Sequence, residues 1–194
     1  MDVIPWIKGQ HKGVRFFYET AVRNVLSAEQ MKERPGGVGN SVAWLVWHVA
    51  RSEDMIVNAI IREQPQILLQ DAWQEKLGID ATHIGTGLGD DEVGDFTDKL
   101  DPIAADDYWR TVAESTYVWL RTLEASDLDR IPNFDRALKA IPPVLASGDS
   151  QGAMDFWNGR SVAYLLGGVV ISHGYIHVGE MQAITGRLGE QGWF

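Results

Sequence analysis

The sequence predicts an all-α protein, a single four-helix bundle, and three observations carry that expectation. Four long segments place apolar residues at spacings of three and four, Gly and Pro punctuate the chain between them, and no alternating strand pattern of useful length occurs. The first segment covers about residues 7–31, with Val14, Phe17, Ala21 and Val25 on one stripe and Arg34-Pro35-Gly36-Gly37 ending it. The second opens after Asn40 or Ser41, either able to cap a helix, and runs through Trp44, Leu45, His48, Met55 and Ile56 to about Glu63, where Pro65 stops it. The third starts at Asp101-Pro102, a cap followed by proline at the first helical position, and continues through Tyr108, Val112, Thr116, Trp119 and Leu123. The fourth covers about residues 161–185, with Leu166, Val169, His173, Ile176 and Ile184 on one side and Gly186 at the expected C′ position. It is expected to be the most buried of the four.

Two long connections separate these helices, residues 66–100 with a short helix at 71–77, and residues 127–159 with Pro132, Pro142 and Pro143. Such connections either cover a site or form variable surface. Length and composition fit one domain spanning residues 1–194, with 45% hydrophobic and 23% charged residues. The net charge of -10 repels phosphate backbones and anionic membranes alike, so neither nucleic acid nor membrane is an expected partner. With no signal-like N-terminus and no stretch judged long enough to cross a bilayer, a cytoplasmic location is expected. The chain contains no cysteine, which excludes thiolate ligands, disulfides and a cysteine nucleophile; any thiol must arrive with a ligand.

The residues that carry chemistry are histidines. His173 and His177 in ISHGYIHVGE differ by ~40° around a helix and lie on its apolar stripe, so both rings can reach one ion. His48 shares an inward face with Trp44, Leu45, Ser52 and Met55. Three neutral imidazoles from two helices suit zinc, nickel, iron or copper and leave positions open for water or substrate, whereas structural zinc takes four protein ligands. The other reading is that each histidine is a core residue bonded to a carbonyl or a hydroxyl such as Ser52 or Ser172. Gly174 follows the first histidine of the pair, so the glutamate base of HExxH peptidases is missing. Glu180 lies ~20° from His173 and two turns on, placed to orient a ligand or to pair with Arg187. Trp44 and Trp47 either wall a ligand cavity or fill the core. His11 reads as solvated, and Arg51, Glu53 and Asp54 as the wet side of the second helix. His83 sits in a loop able to approach the site. Asp90, Asp91, Glu92, Asp95 and Asp98 read as a solvated loop without calcium-binding spacing.

The pattern NSVAWLVWHVARSED followed by HGYIHVGEMQAITGRLG resembles the DinB/YfiT-like superfamily of metal-binding four-helix bundles over most of the chain. The resemblance implies that His48, His173 and His177 bind a divalent metal, nickel or zinc above all and iron as a further candidate. It implies an up-down-down-up bundle with long crossover connections, commonly a homodimer. It leaves the activity open among thiol-dependent S-transferases and isomerases that use bacillithiol- or mycothiol-type cofactors. The leading expectation is therefore an enzyme whose ion activates a low-molecular-weight thiol for transfer to an electrophile. The alternatives are a hydrolase with metal-bound water as nucleophile, or a non-catalytic protein that binds metal or a small-molecule ligand.

Overall fold

The computed structural model of the chain describes residues 2–80, 82–140 and 150–191. Helix α1 (Val3–Tyr18) starts at Asp2, whose side chain accepts from the Ile4 N–H, and continues into a π-helical turn at Glu19–Arg23. There the first expected helix breaks. Ser27 caps a separate short helix α2 (Ala28–Lys32) with a full capping box, in which Gln30 reaches back to the Ser27 N–H at 2.9 Å. Helix α3 (Val42–Asp54) is capped by the Ser41 hydroxyl, which accepts from the Trp44 N–H, and runs on as a π-helical stretch, Met55–Ile61. Every residue of both stretches is buried, so this rod is the innermost, in place of the fourth helix expected for that role.

Helix α4 (Trp73–Leu77) matches the short helix anticipated in the first connection. The acidic run that follows is helical where a loop was expected: α5 (Asp90–Lys99) has Asp90, Asp91 and Glu92 in its first turn, where the exposed amide dipoles favour negative charge. Its acidic side chains are solvated, as anticipated. Helix α6 (Pro102–Leu120) begins with Asp101 accepting from the Ile103 and Ala104 N–H groups. Helices α7 (Phe134–Ala140) and α8 (Ser150–Trp157) occupy the second connection; Pro142 and Pro143 lie outside the described residues.

The last rod comprises α9 (Val162–Leu165), a π-helical stretch Leu166–Ser172 and α10 (His173–Arg187). It passes through Gly186, and the left-handed glycine comes at Gly189 (φ 83°), after Leu188. This 26-residue helix is long and apolar enough by length and composition to cross a bilayer, which corrects the expectation that no stretch is. Its histidine-bearing face, however, is tied to α3. The described residues contain helices and no strand.

The long rods meet in a ring: α1 packs on α6, α6 on α3, α3 on α10 and α10 on α1. Two apolar clusters fill it. One, around Trp44, Trp47, Tyr108, Trp109 and Met181, surrounds the first turns of α3; the other, around Met55, Ile60, Leu165 and Val170, packs the two π-helical stretches together. Where α10 crosses α1, Gly174 permits the approach, since a Cβ there would stand 2.8 Å from a Val14 methyl.

Candidate metal centre

His48 projects from the middle of α3, while His173 and His177 stand one turn apart at the start of α10. Their rings meet. The His173 Nε2 lies 3.0 Å from the His48 Nε2 and 3.1 Å from the His177 Nε2, and the ligand atoms of all three fall within 4.8 Å of one another. Nitrogens bound at about 2.1 Å to one ion stand about 3.0–3.4 Å apart between right-angle and tetrahedral arrangements. The two short separations fit one shared ion.

The tautomers point the same way. His48 Nδ1–H donates to the Ile84 carbonyl at 2.5 Å, and His177 Nδ1–H donates to the Glu180 carboxylate at 2.9 Å. Both Nε2 atoms then carry lone pairs aimed at the centre, and one N–H from His173 cannot satisfy two acceptors at once. A shared cation would resolve the convergence. Among the described residues the His173 Nδ1 is buried without a hydrogen-bond partner, the one ring of the three lacking an outer support there.

Burial followed by the charge of His177 pushes His48 down to about 4, and burial followed by the charges of His48 and His177 pushes His173 down to about 3. Both rings are neutral at ordinary pH, the form able to bind a metal. Glu180 is held below the usual carboxylate range, first by the hydrogen bond from His177 and also by one from Asn40, whose Nδ2 donates at 2.8 Å. A carboxylate so placed can fix the orientation of an imidazole that ligates a metal. Trp44 stacks on His48 with ring centres 4.8 Å apart and planes 10° off parallel, forming a wall of the site. Ser52 is buried further along α3 and takes part in none of these bonds.

The cover over His48 comes from the segment after α4. Gly85 has a left-handed backbone (φ 86°), and a Cβ on it would lie 2.8 Å from Trp47 and 2.9 Å from Trp44. His83 arrives with this segment, yet its ring packs edge-on against Trp47 at 5.6 Å and stays outside the cluster. Burial and the nearby Arg51 charge push it down.

A sequence profile described as the DinB superfamily matches residues 19–181, which include all three histidines and Glu180. The chain belongs to the DinB superfamily. A crystal structure of a conserved protein from Enterococcus faecalis shares the fold of this DinB-superfamily chain, with a TM-score of 0.65 at 16% identity and 96% of each chain covered. No curated protein matches it.

Four side chains read from the sequence as solvated are interior in this DinB-superfamily fold. His11 is 4% exposed, and its Nε2–H donates to Glu53 at 2.8 Å. Arg51, Glu53 and Asp54 are buried as well, because their partners come from α1, α6 and the segments after α3. Burial pushes Glu53 up, but the charge and hydrogen bond of His11, joined by Thr116 and Trp109, together outweigh this and hold the carboxyl below its ordinary value. Ile176, expected on the inner stripe, is 67% exposed. The Ile84 carbonyl escapes any reading by residue type, since a backbone acceptor has no side-chain signature.

Proposed function

We propose that His48, His173 and His177 hold one divalent transition-metal ion, nickel or zinc with iron as the third candidate. We further propose that the protein is an enzyme that activates a low-molecular-weight thiol for transfer to an electrophile, as an S-transferase or isomerase. The observation that carries the metal reading is the convergence of three Nε2 atoms, two of them with Nδ1–H committed to fixed acceptors. When bound, such an ion supplies Lewis acidity that lowers the pKa of a sulfur or oxygen donor. The chain's own groups do the rest: burial keeps His48 and His173 neutral, Ile84 and Glu180 aim two rings, and Trp44 walls one side. Three protein ligands leave positions open, which favours a reactive over a purely structural site. The sequence has no cysteine, so the sulfur must come from outside, and DinB-superfamily membership supports a small thiol as its source.

The same proposal takes the ring of four rods as a single-domain four-helix bundle with long crossover connections, working in the cytoplasm as a homodimer on a small-molecule substrate. The net charge of -10 supports an absence of nucleic-acid and membrane partners.

Elemental analysis of the wild type beside His48→Ala and His177→Ala tests the metal reading. About one ion per chain in the wild type and loss from both variants is expected; metal retained by both variants would refute the assignment. Thermal-shift screening of the loaded protein against bacillithiol- and mycothiol-type thiols, followed by consumption assays with an electrophile, tests the chemistry. Ester or lactone turnover without added thiol would replace it with hydrolysis, and tight metal occupancy with no product in either assay would leave a binding protein.

A further inference from the structure

We propose that Arg51 is a positioning residue of the metal centre, which sets the tautomer and aim of His48 through the backbone of residues 82–84. The inference rests on the metal reading above and adds a residue to it. Arg51 follows His48 by three positions on α3 and has a fully buried side chain. Its Nη2 donates to the Thr82 carbonyl at 2.7 Å. Its Nη1 donates to the Tyr108 hydroxyl at 3.3 Å and stands 3.5 Å from the Asp54 Oδ2.

That end of the fork is anchored. Asp54 accepts from the Tyr108 hydroxyl at 2.6 Å, from the Ile67 and Leu68 N–H groups at 2.9 and 3.0 Å, and from Asn58 Nδ2 at 2.8 Å. The guanidinium therefore has a fixed base on one side and the covering segment on the other. Two residues beyond Thr82, the Ile84 carbonyl accepts the His48 Nδ1–H at 2.5 Å, and at Gly85 the chain lies flat on the Trp44 and Trp47 indoles. Residues 48 and 51, one helical turn apart, thus clasp the same segment at two points two residues apart.

A buried guanidinium is costly, and an apolar side chain of similar volume often serves stability as well or better. What an apolar side chain cannot do is hold a carbonyl. Without that hold, the Ile84 acceptor is free to shift, and His48 has no reason to keep its proton on Nδ1 and its lone pair on Nε2. Outer partners of this kind typically change metal affinity by roughly 10- to 100-fold.

The test compares wild type, Arg51→Met and Arg51→Lys with Val112→Ala, a truncation of a buried α6 core residue that lowers stability and removes no hydrogen bond to the segment. Lysine keeps the charge but cannot fork between Thr82 and Tyr108. Nitrogen-15 NMR of the metal-free proteins reads the His48 tautomer, and competition with a chromophoric chelator reads Zn2+ affinity. The expected result is Nδ1–H alone in wild type and Val112→Ala, mixed tautomers in both Arg51 variants, and Zn2+ binding weakened roughly 10- to 100-fold in those two only. An unchanged tautomer and affinity in Arg51→Lys would overturn the Arg51 link. Wild-type protein that takes up none of Zn2+, Ni2+ and Fe2+ would overturn the metal reading and the ligand-positioning half with it, so the two failures are distinguishable.

Discussion

Burial keeps the His48 and His173 rings neutral well below the ordinary imidazole value of 6.5, at about 4 and about 3. Between those values and 6.5 the unfolded chain binds protons that the folded chain refuses, so stability rises with pH across that window. The contribution is fully present above pH 6.5 and is lost as pH falls toward 4. Metal-free protein is therefore expected to lose melting temperature steadily from pH 7 to pH 4.5, and a His48→Gln/His173→Gln double variant to lose much less. Equal slopes for the two proteins would refute the protonation assignment. Among single residues, the convergence of the three histidines was legible because His173 and His177 recur on an apolar stripe and His48 shares a face with Trp44. His11, Arg51, Glu53 and Asp54 were not, because a charged run on a helix ordinarily marks its wet side and the partners that reverse this are remote in sequence. His11 and Glu53 are 42 positions apart, and Tyr108 and Asp54 are 54 apart.

At the scale of elements, the helix starts capped by Ser41, Asp101 and Ser161 were legible, whereas those capped by Asp2 and Ser27 were not. The break between α1 and α2 was not, because Val22, Leu26 and Met31 remain buried on both sides of it and the apolar pattern runs through the kink. Helix α5 was hidden for another reason: its three leading carboxylates look like loop composition, yet they suit a helix N-terminus, where Glu92 also accepts from the Gly89 N–H at 2.8 Å. The segment covering His48 depends on glycine. Gly85→Ala introduces a Cβ into a left-handed backbone and drives it against two indoles, so a loss of at least about 1–2 kcal/mol is expected by urea denaturation. Gly179→Ala, where a Cβ meets nothing within 4 Å and the backbone is helical, is the matched control and should be neutral or slightly stabilising. Equal stability of the two variants would mean that residue 85 does not lie against Trp44 and Trp47.

For the whole molecule, the all-helical class follows from periodicity, but the ring in which α1 meets both α6 and α10 does not, because neighbouring helices are chosen by side-chain fit and by connections the sequence leaves irregular. What the ring leaves outside supports the homodimer proposed above. The rod Val162–Arg187 has an 18-residue window of mean hydropathy 1.3, and only 44% of that window is buried. On its outer side Ile176 is 67% exposed, and α1, packed beside it, exposes Trp6 at 46%. An apolar face of this kind is covered by a partner more often than left wet, and a chain of net charge -10 is repelled by an anionic membrane. A second copy brings an identical apolar face, and a two-fold axis lets the two match. Sedimentation equilibrium is expected to give twice the chain mass of 21.6 kDa, with Trp6→Glu/Ile176→Glu shifting the protein to monomer while its helical circular dichroism is retained. Wild-type protein that sediments as a 21.6 kDa species at micromolar concentration would rule the dimer out.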